Sequence, residues 1–391
     1  MIARSEDIAA EAEAPPARAT PEPRAGVRAI RFENVNLLRA FAALSVVMYH
    51  VIEHSHWTAF PITGPLLTFR IGWIGVDLFF VISGFVITYS ALILRANDRA
   101  GFAGHYWARR LTRIVPLYVL TIAVWIATMY HGFFAQPFRD WGWQLFTHLA
   151  FIHSFFVDTH SAIDGVNWTL AIEMQFYLAI ALLIGWIERT PAWRIAAYAI
   201  AISWAWRACM LVLFGFTDPW ILFMRVTQLP GTLDEFAAGI VFAKLVLARP
   251  APARGETLLW LVGAAVLGYV AMALFWPRAS YWFFPPMVVF WRTLFSAFLL
   301  CVLAAAVRLP QVIAHRWLRP LDYLGETSYG IYLWHLFAVE YVIHQRGMRE
   351  LQATAWVLGL TILAASCSWR WFEKPFMGLA RRPAAPVRAA A

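Results

Sequence analysis

NLLRAFAALSVVMYHVIE, residues 36–53, is an apolar stretch that predicts a membrane helix carrying Arg39 and His50. Eleven residue steps of about 100° amount to roughly three full turns. Both side chains therefore lie on one stripe, about 16 Å apart along the helix axis. In a bilayer this places Arg39 near one surface and His50 deep in the hydrocarbon, where an ionisable residue is a candidate functional residue. The alternative is a snorkelling arginine and a histidine that hydrogen-bonds a neighbouring helix.

The composition is typical of an integral membrane protein with little soluble mass. Of the 391 residues, 61% are hydrophobic and only 14% are charged, whereas soluble domains have roughly 25% charged residues. The net charge of +9 comes mostly from arginines in short loops between apolar runs. It therefore indicates membrane orientation rather than a nucleic-acid partner. The three cysteines lack metal-ligand spacing, and we expect neither a metal nor a bound cofactor.

Ten apolar runs are long enough, or nearly so, to cross a bilayer. They are residues 36–54, 72–94, 114–131, 168–187, 195–214, 228–247, 257–275, 289–307, 327–345 and 352–371. Positive charge concentrates in alternate loops, which favours ten crossings with both termini cytoplasmic. Counting a short eleventh run, 145–157, as a crossing would invert every loop on one side of it. We therefore expect an all-α polytopic membrane protein with about ten transmembrane helices plus a short re-entrant or interfacial helix.

The chain is expected to form one membrane domain between two tails. Residues 1–30 are rich in Ala, Pro, Glu and Arg, and we expect them to be a disordered cytoplasmic tail. Residues 377–391 are expected to be a second such tail, with the transmembrane domain at residues 31–376. The expected location is the cytoplasmic (inner) membrane, as a multi-pass protein.

Residues 72–90, GWIGVDLFFVISGFVITYS, place Asp77 in an otherwise apolar helix. Gly75, Ser83 and Gly84 offer surfaces for the close approach of a neighbouring helix. A packing helix with an interfacial aspartate explains this motif as well as a functional site does.

Residues 105–118, HYWARRLTRIVPLY, carry Arg110 and Arg113 three positions apart on one helical face. Guanidinium groups bind phosphate in bidentate fashion, so this pair is a candidate clamp for a phosphorylated cytoplasmic ligand. For any single arginine, anchoring by the positive-inside rule is the simpler explanation.

Other ionisable residues enter later spans. Glu173 lies one and a half turns into the span that Trp168 opens. Arg207 and the pair Asp234 and Glu235 also lie within predicted spans, and we favour a structural ion pair for Arg207.

His335 lies well inside the ninth predicted span, in GETSYGIYLWHLF at residues 325–337. Ser328, Tyr329 and Tyr332 are its polar neighbours, so a hydrogen-bonded core histidine is a simpler explanation than a catalytic one. The sequence contains no Gly-x-Ser-x-Gly elbow, zinc signature or P-loop.

Together these stretches resemble the membrane-bound acyltransferase 3 family over residues 36–376. The resemblance rests on the Arg39–His50 spacing and on six motifs in order. They are GVDLFFVISGF at 75–85, RRLTRIVPLY at 109–118, WTLAIEMQFY at 168–177, DEFAAGIVFA at 234–243, SYGIYLWH at 328–335 and EKP at 373–375.

The resemblance implies transfer of an acyl group, usually acetyl, from cytoplasmic acyl-CoA to a hydroxyl of a glycan, a lipid-linked sugar or a small natural product. It implies a catalytic role for His50 and a donor-binding role for Arg39, Arg110 and Arg113. Some family members carry a carboxy-terminal extracytoplasmic esterase-like domain. We see no such domain here, and we expect transfer to be completed alone or with a separate extracytoplasmic partner.

Acyl transfer to a hydroxyl requires a base, and a buried neutral imidazole such as His50 suits that role. Glu53 or Glu173 is a candidate to orient the ring. We expect a pore along the first span, with the phosphates of CoA on the arginines and the acceptor arriving from outside or from the bilayer. Further pore or site candidates are Asp77, Ser83, Trp168, Tyr329 and His335. The rival interpretation is a proton-coupled transporter or flippase, although we see no paired halves with interrupted helices.

Overall fold

The computed structural model describes residues 32–216, 218–278, 281–310 and 316–380. All regular structure within these residues is helical, so the predicted all-α class is confirmed. The first eight α-helices are α1 (Glu33–His54), α2 (Leu67–Arg70), α3 (Ile74–Asn97), α4 (Phe102–Thr128), α5 (Phe138–Leu149), α6 (Trp168–Arg189), α7 (Ala192–Phe214) and α8 (Pro219–Val226). The next seven are α9 (Leu229–Ala248), α10 (Glu256–Phe275), α11 (Arg292–Arg308), α12 (Arg319–Glu326), α13 (Ser328–Val339), α14 (Glu350–Ser368) and α15 (Lys374–Leu379).

Eight helical segments of the described chain are long and apolar enough to cross a membrane. They are Glu33–His54, Ile74–Asn97, Phe102–Thr128, Trp168–Arg189, Ala192–Phe214, Glu256–Phe275, Met287–Arg308 and Glu350–Leu379. The other two predicted spans correspond to α9 and α13. α9 carries three charged residues, and α13 has only 12 residues before its helical geometry changes. A multi-pass membrane protein is thus confirmed, whereas the number of about ten spans and the cytoplasmic termini remain predictions.

Within the described part of the chain, three π-helical segments adjoin α-helices. Met287–Trp291 leads into α11, Glu340–Gln345 continues α13, and Trp369–Glu373 joins α14 to α15. A π turn shifts the helical face by one residue relative to an uninterrupted α-helix. The apolar pattern does not predict these segments. It indicates which residues are buried, but not which carbonyl oxygen accepts the hydrogen bond of each backbone amide.

The short apolar run at 145–157 is half helix and half turn. α5 covers residues 138–149 and so extends about 18 Å, which is too short for a hydrocarbon core of about 30 Å. Phe151 adopts a left-handed backbone conformation with φ 56°, and a short 3-10 turn, His153–Phe155, follows. A re-entrant or interfacial position for this segment remains a prediction.

α3 lies at the centre of the helix assembly, packed against α1, α6, α9 and α11. At Gly84 its backbone meets the backbone of Phe236 on α9, and Gly239 of α9 meets the backbone of Val81 in return. A side chain at either glycine would collide with main-chain atoms. The predicted close approach at Gly84 is therefore confirmed, and it holds α3 and α9 at backbone contact.

The two predicted tails lie mostly outside the described residues. No structure is described for residues 1–31 or 381–391. α15 continues to Leu379, which is three residues beyond the predicted end of the membrane domain at 376.

Candidate active site

His50 lies on α1 at the wall of a cavity of about 450 Å³, the histidine cavity. His50 is mostly buried, but it belongs to the lining of this cavity, so the residue faces the cavity rather than being sealed in packing. The wall is largely aromatic and includes Trp73, Trp168, Trp220, Phe223 and Trp282. Tyr49, Tyr332 and Arg292 supply polar groups to the same wall. The cavity therefore combines flat apolar faces with a few polar atoms around one imidazole.

His335 of α13 contacts His50 directly. Nε2 of His335 lies 3.3 Å from Nδ1 of His50, and the ring centroids are 5.0 Å apart. Nδ1 of His50 also lies 3.0 Å from the carbonyl oxygen of Val46, one turn earlier on α1. His335 itself is fully buried, and its Nδ1 lies 2.6 Å from the carbonyl oxygen of Tyr332. The two histidines thus form a pair, which the sequence analysis did not predict.

A second cavity, of about 190 Å³, contains the three predicted donor-binding arginines and is termed the arginine cavity. Nε of Arg39 donates to Oγ of Ser328 at 3.3 Å, and Nη2 of Arg110 donates to Oγ of Ser90 at 2.6 Å. Arg39, Arg110 and Arg113 form no ion pair with a carboxylate of the described residues. Glu173 lines the same cavity without pairing with them, so their charge is only partly offset and an anionic ligand can still bind.

Glu173 lies in the arginine cavity rather than beside His50. Its Oε1 accepts hydrogen bonds from Oγ of Ser83 and from the hydroxyl of Tyr177, both at 2.8 Å. The structure therefore brings Glu173 together with Ser83 and the arginines but not with the imidazole that it was predicted to orient. A catalytic role for Glu173 remains a proposal.

The two cavities adjoin, because Val76 and Tyr332 line both of them. The arginine cavity in turn continues into two pockets at its other end. Arg110 and Arg113 line a pocket of about 400 Å³ beside α4, and Arg39 and Arg113 line one of about 600 Å³ between α1 and α15. The shared residues thus place the cavities in series from the arginines past Val76 and Tyr332 to His50, and this series of adjoining cavities is termed the passage.

Asp77 belongs to a separate cluster of buried charges formed by α3, α7, α9 and α11. Arg292 bonds Asp77 at 2.9 Å and Glu235 at 3.0 Å, and Arg207 bonds Asp234 at 2.7 Å. All five side chains are at most 6% exposed. The favoured structural ion pair for Arg207 is confirmed, and Asp77 proves to be part of the same network.

The remaining predicted candidates occupy different places around the passage. Glu53 is exposed and makes no contact with His50, so the structure gives no support to its predicted orienting role. Trp168 lines the histidine cavity, where it stacks on His160 with ring centroids 5.6 Å apart. Tyr329 lines the arginine cavity, and its hydroxyl donates to the carbonyl oxygen of Ile114 at 2.8 Å.

The loop between α5 and α6 forms one rim of the histidine cavity through Gly165 and Val166. Asp164 in this loop is fully buried, receives a long backbone hydrogen bond from Val166 N at 3.4 Å, and interacts with the indole of Trp125. Burial raises the pKa of Asp164 to about 7. Burial likewise lowers the pKa of His160 to about 4. Both groups are therefore held towards their neutral forms, as suits a rim packed on aromatic rings.

No group of three or more potential metal ligands lies together among the described residues. Sequence analysis missed Arg292 and Ser90 as parts of the site and its surroundings, and it named Tyr332 only as a polar neighbour of His335. Arg292 stands in an apolar run, so its intramembrane charge was a usable signal. Ser90 carries no such signal, because its contact with Arg110 arises only when the fold brings α3 beside α4.

The sequence was compared with known proteins. A family model described as an acyltransferase domain matches residues 32–370. "Putative acetyltransferase ORF330" of Acidianus two-tailed virus is 31% identical over 313 residues, which cover 78% of this chain and 82% of the viral protein. The peptidoglycan O-acetyltransferase OatA of Listeria monocytogenes is 24% identical over 88% of this chain and 55% of its own length. The O-acetyltransferase OatA of Staphylococcus aureus is 25% identical over 86% of this chain and 56% of its own length.

The chain thus spans about half the length of these bacterial relatives and most of the length of the viral one. No solved structure matches.

Proposed function

The chain belongs to the acyltransferase-domain family, and from this premise we propose that it is a membrane O-acetyltransferase that uses acyl-CoA, with acetyl-CoA as the expected donor. The acceptor is a hydroxyl of a glycan, a lipid-linked sugar or a small natural product. The observation that carries the proposal is a series of adjoining cavities that runs from three arginines with no ion-paired carboxylate among the described residues to a cavity lined by the imidazole of His50. The names of the bacterial relatives, which include a peptidoglycan O-acetyltransferase, favour a glycan among these acceptors.

The donor enters from the arginine side. The pockets beside α4 and between α1 and α15 open next to Arg39, Arg110 and Arg113, whose guanidinium groups suit the phosphates of CoA. Positive charge in the flanking loops favours a cytoplasmic position for this side, where acyl-CoA is made. The extended pantetheine arm then reaches along α1 towards His50, spanning part of the axial distance of about 16 Å.

The acceptor enters the histidine cavity from the opposite side or from the bilayer. Its aromatic walls present flat faces on which a sugar ring or another apolar face can lie, while Tyr49 and Arg292 offer hydrogen-bonding groups. An acceptor hydroxyl in this cavity is within reach of the imidazole. The protein would then act in the inner membrane, with the two substrates approaching from different sides.

His50 is the general base. Its imidazole removes the proton of the acceptor hydroxyl as the oxygen attacks the thioester carbonyl. The tetrahedral intermediate collapses, the carbon–sulfur bond breaks, and the CoA thiolate takes the proton from the imidazolium. The products are the acetyl ester and CoA thiol, so protons and electrons balance. A route through an acyl-His50 intermediate gives the same products in two steps.

A proton-coupled transporter or flippase is the second candidate, because buried charges line a passage with two ends. Labelled acetyl-CoA separates the two functions. Membranes that contain the protein should transfer label to a glycan, lipid or small-molecule fraction, and membranes that contain His50→Ala should not. Movement of an unmodified substrate across the membrane, without any labelled ester, would favour the transporter.

The acceptor itself is best found by comparing a deletion strain with its parent. Mass spectrometry of surface glycans and lipids should show one species that lacks an acetyl mass in the deletion strain. Restoration by the wild-type chain, but not by His50→Ala, would assign that species to this protein.

A further inference from the structure

We propose that His335 is a positioning residue that fixes the tautomer and orientation of His50, so that the free lone pair of His50 lies on Nε2. The inference rests on the proposed function, since it concerns how the base of that reaction is prepared. It assigns a role to a buried histidine of α13 that touches neither substrate, because His335 does not line either cavity.

The tautomer of His335 follows from its own neighbours. Nδ1 of His335 lies 2.6 Å from the carbonyl oxygen of Tyr332, and a carbonyl oxygen can only accept a hydrogen bond. The proton of neutral His335 is therefore on Nδ1, and its Nε2 carries a lone pair. That lone pair faces His50, at 3.3 Å from Nδ1.

The tautomer of His50 follows in turn. Its Nδ1 faces two acceptors, Nε2 of His335 and the carbonyl oxygen of Val46 at 3.0 Å. Two acceptors around one ring nitrogen require that nitrogen to carry the proton. The lone pair of neutral His50 is thus on Nε2, which is the nitrogen available as the general base.

No other ionisable neighbour supplies this function among the described residues. His54 is 6.0 Å from His50 between ring centroids, and its Nδ1 lies 2.8 Å from Nε2 of His344 instead. Glu53 is exposed, and Glu173 accepts from Ser83 and Tyr177 in the other cavity. In hydrolytic triads a carboxylate holds the base histidine in its working tautomer. Here a second imidazole, itself fixed by a main-chain carbonyl, occupies the corresponding position.

The contact between His335 and His50 also stabilises the positive charge that develops on His50 in the transition state. When His50 takes the acceptor proton on Nε2, its ring becomes positive and its Nδ1–H becomes a stronger donor. The lone pair of His335 accepts that bond without having to move, because the ring is fully buried and held by Tyr332. The benefit arises only as charge develops on His50, so loss of the acceptor should lower kcat and leave KM for either substrate nearly unchanged.

Two variants of similar length separate positioning from packing. His335→Met removes the acceptor but fills space, whereas His335→Gln retains an oxygen that can accept from His50. Trp334→Phe is the matched control on the same helix, because it removes a buried hydrogen bond to Ser368 that lies away from His50. All three are purified as full chains and assayed with labelled acetyl-CoA and the acceptor identified for the wild type.

We expect His335→Met to reduce kcat about 10–100-fold with KM for acetyl-CoA within about twofold of the wild type. The kcat of His335→Gln should be at least about tenfold higher than that of His335→Met. The kcat of Trp334→Phe should stay near the wild-type value. Equal losses in His335→Met and His335→Gln, or a change confined to KM, would overturn the proposal.

Folding of each variant is checked by its apparent melting temperature. If His335→Met does not fold, His335→Gln decides alone: kcat within about fivefold of the wild type supports the proposal, and a loss above about fiftyfold contradicts it. The assay also keeps this inference apart from the proposed function. A wild type that transfers no label would refute the function, whereas active, unaltered His335 variants would refute only the positioning role.

Discussion

Two groups of arginines lie within the apolar helices, and they differ in what surrounds them. Arg207 and Arg292 are almost fully buried and bonded to Asp234, Asp77 and Glu235. Arg39, Arg110 and Arg113 line the arginine cavity with hydroxyl partners or none, and no described carboxylate pairs with them. Charge within the membrane is common to both groups. The two groups differ because carboxylates of the protein form ion pairs with the first group and not with the second.

The difference teaches how to read ionisable residues in membrane helices. A buried charge that the fold neutralises is part of the structure, and removal of its partner leaves an uncompensated charge in a medium that solvates it poorly. A charged side chain that lines a cavity and is not paired within the fold can instead bind a charged ligand. The first group should therefore fail in folding when altered, and the second should fail in binding or catalysis.

The largest effect is expected at His50, which is accessible from a cavity and not part of the ion cluster. His50→Ala should lower acetyl transfer by about 10²–10⁴-fold, because the general base is lost. The apparent melting temperature should change less than for a core residue, since His50 faces a cavity. The checks are the rate of label transfer and a thermal unfolding scan of the same preparation. Wild-type rates in this variant would end the proposed mechanism.

Loss of a partner in the ion cluster should act on stability instead. Asp234→Ala leaves the guanidinium of Arg207 buried without its bond at 2.7 Å, which should cost about 3–5 kcal/mol. Intrinsic tryptophan fluorescence during heating measures the result, and the amount of folded protein recovered in detergent gives a second reading. The double variant Asp234→Leu with Arg207→Met removes both charges and should recover most of the stability. Equal destabilisation in single and double variants would show that packing, not charge pairing, matters there.

Arg113 should show the opposite behaviour. Arg113→Gln should raise KM for acetyl-CoA about 10–100-fold, because one charged hydrogen bond to phosphate is lost. The melting temperature should stay unchanged. Arg99→Gln is the matched control, because it makes the same change in net charge at a residue that already bonds Glu188 at 3.2 Å. Donor affinity that falls equally in both variants would reassign Arg113 to general electrostatics or membrane topology.

The smallest effect is expected at Asp164, a buried carboxyl group that has no arginine partner among the described residues. Its pKa is raised to about 7 by burial. The folded state therefore favours the protonated carboxyl group. The contribution of Asp164 to stability is lost as the pH rises from the ordinary pKa of an aspartate through about 7. Asp164→Asn should flatten the fall in apparent melting temperature between pH 5 and pH 8 by about 1–3 °C. An unchanged pH dependence would mean that Asp164 is solvated or paired in a way that its neighbours do not reveal.

Much of the fold could be predicted from the sequence because apolar run length reports directly on membrane crossing. Eight of the ten predicted runs coincide with long apolar helices of the described chain, and Arg39 and His50, on one stripe of α1, line two adjoining cavities. The ion pair of Arg207 followed from the cost of an unpaired charge. The π-helical segments could not be predicted, since their signal lies in backbone hydrogen bonding rather than in residue type.

The candidate site was predicted less completely than the fold. Both members of the histidine pair were singled out, but their contact is between residues 285 positions apart in the chain. Only helix packing brings His335 to His50 and carries Glu173 away from it. Hydroxyl partners such as Ser90 and Ser328 escaped for the same reason, because a serine in a membrane helix is compatible with many neighbours.

Tyr332 has a consequence for the cell as well as for the reaction. If the two cavities open to opposite faces as proposed, the protein contains an aqueous route through a membrane that must hold an electrochemical gradient. The hydroxyl of Tyr332 is tied to Val166 and Thr169 at 3.3 and 2.9 Å, beside the methyl groups of Val76. On that proposal Tyr332, which lines both cavities, stands where a seal against ions and water is needed while the acyl-bearing arm of the donor passes.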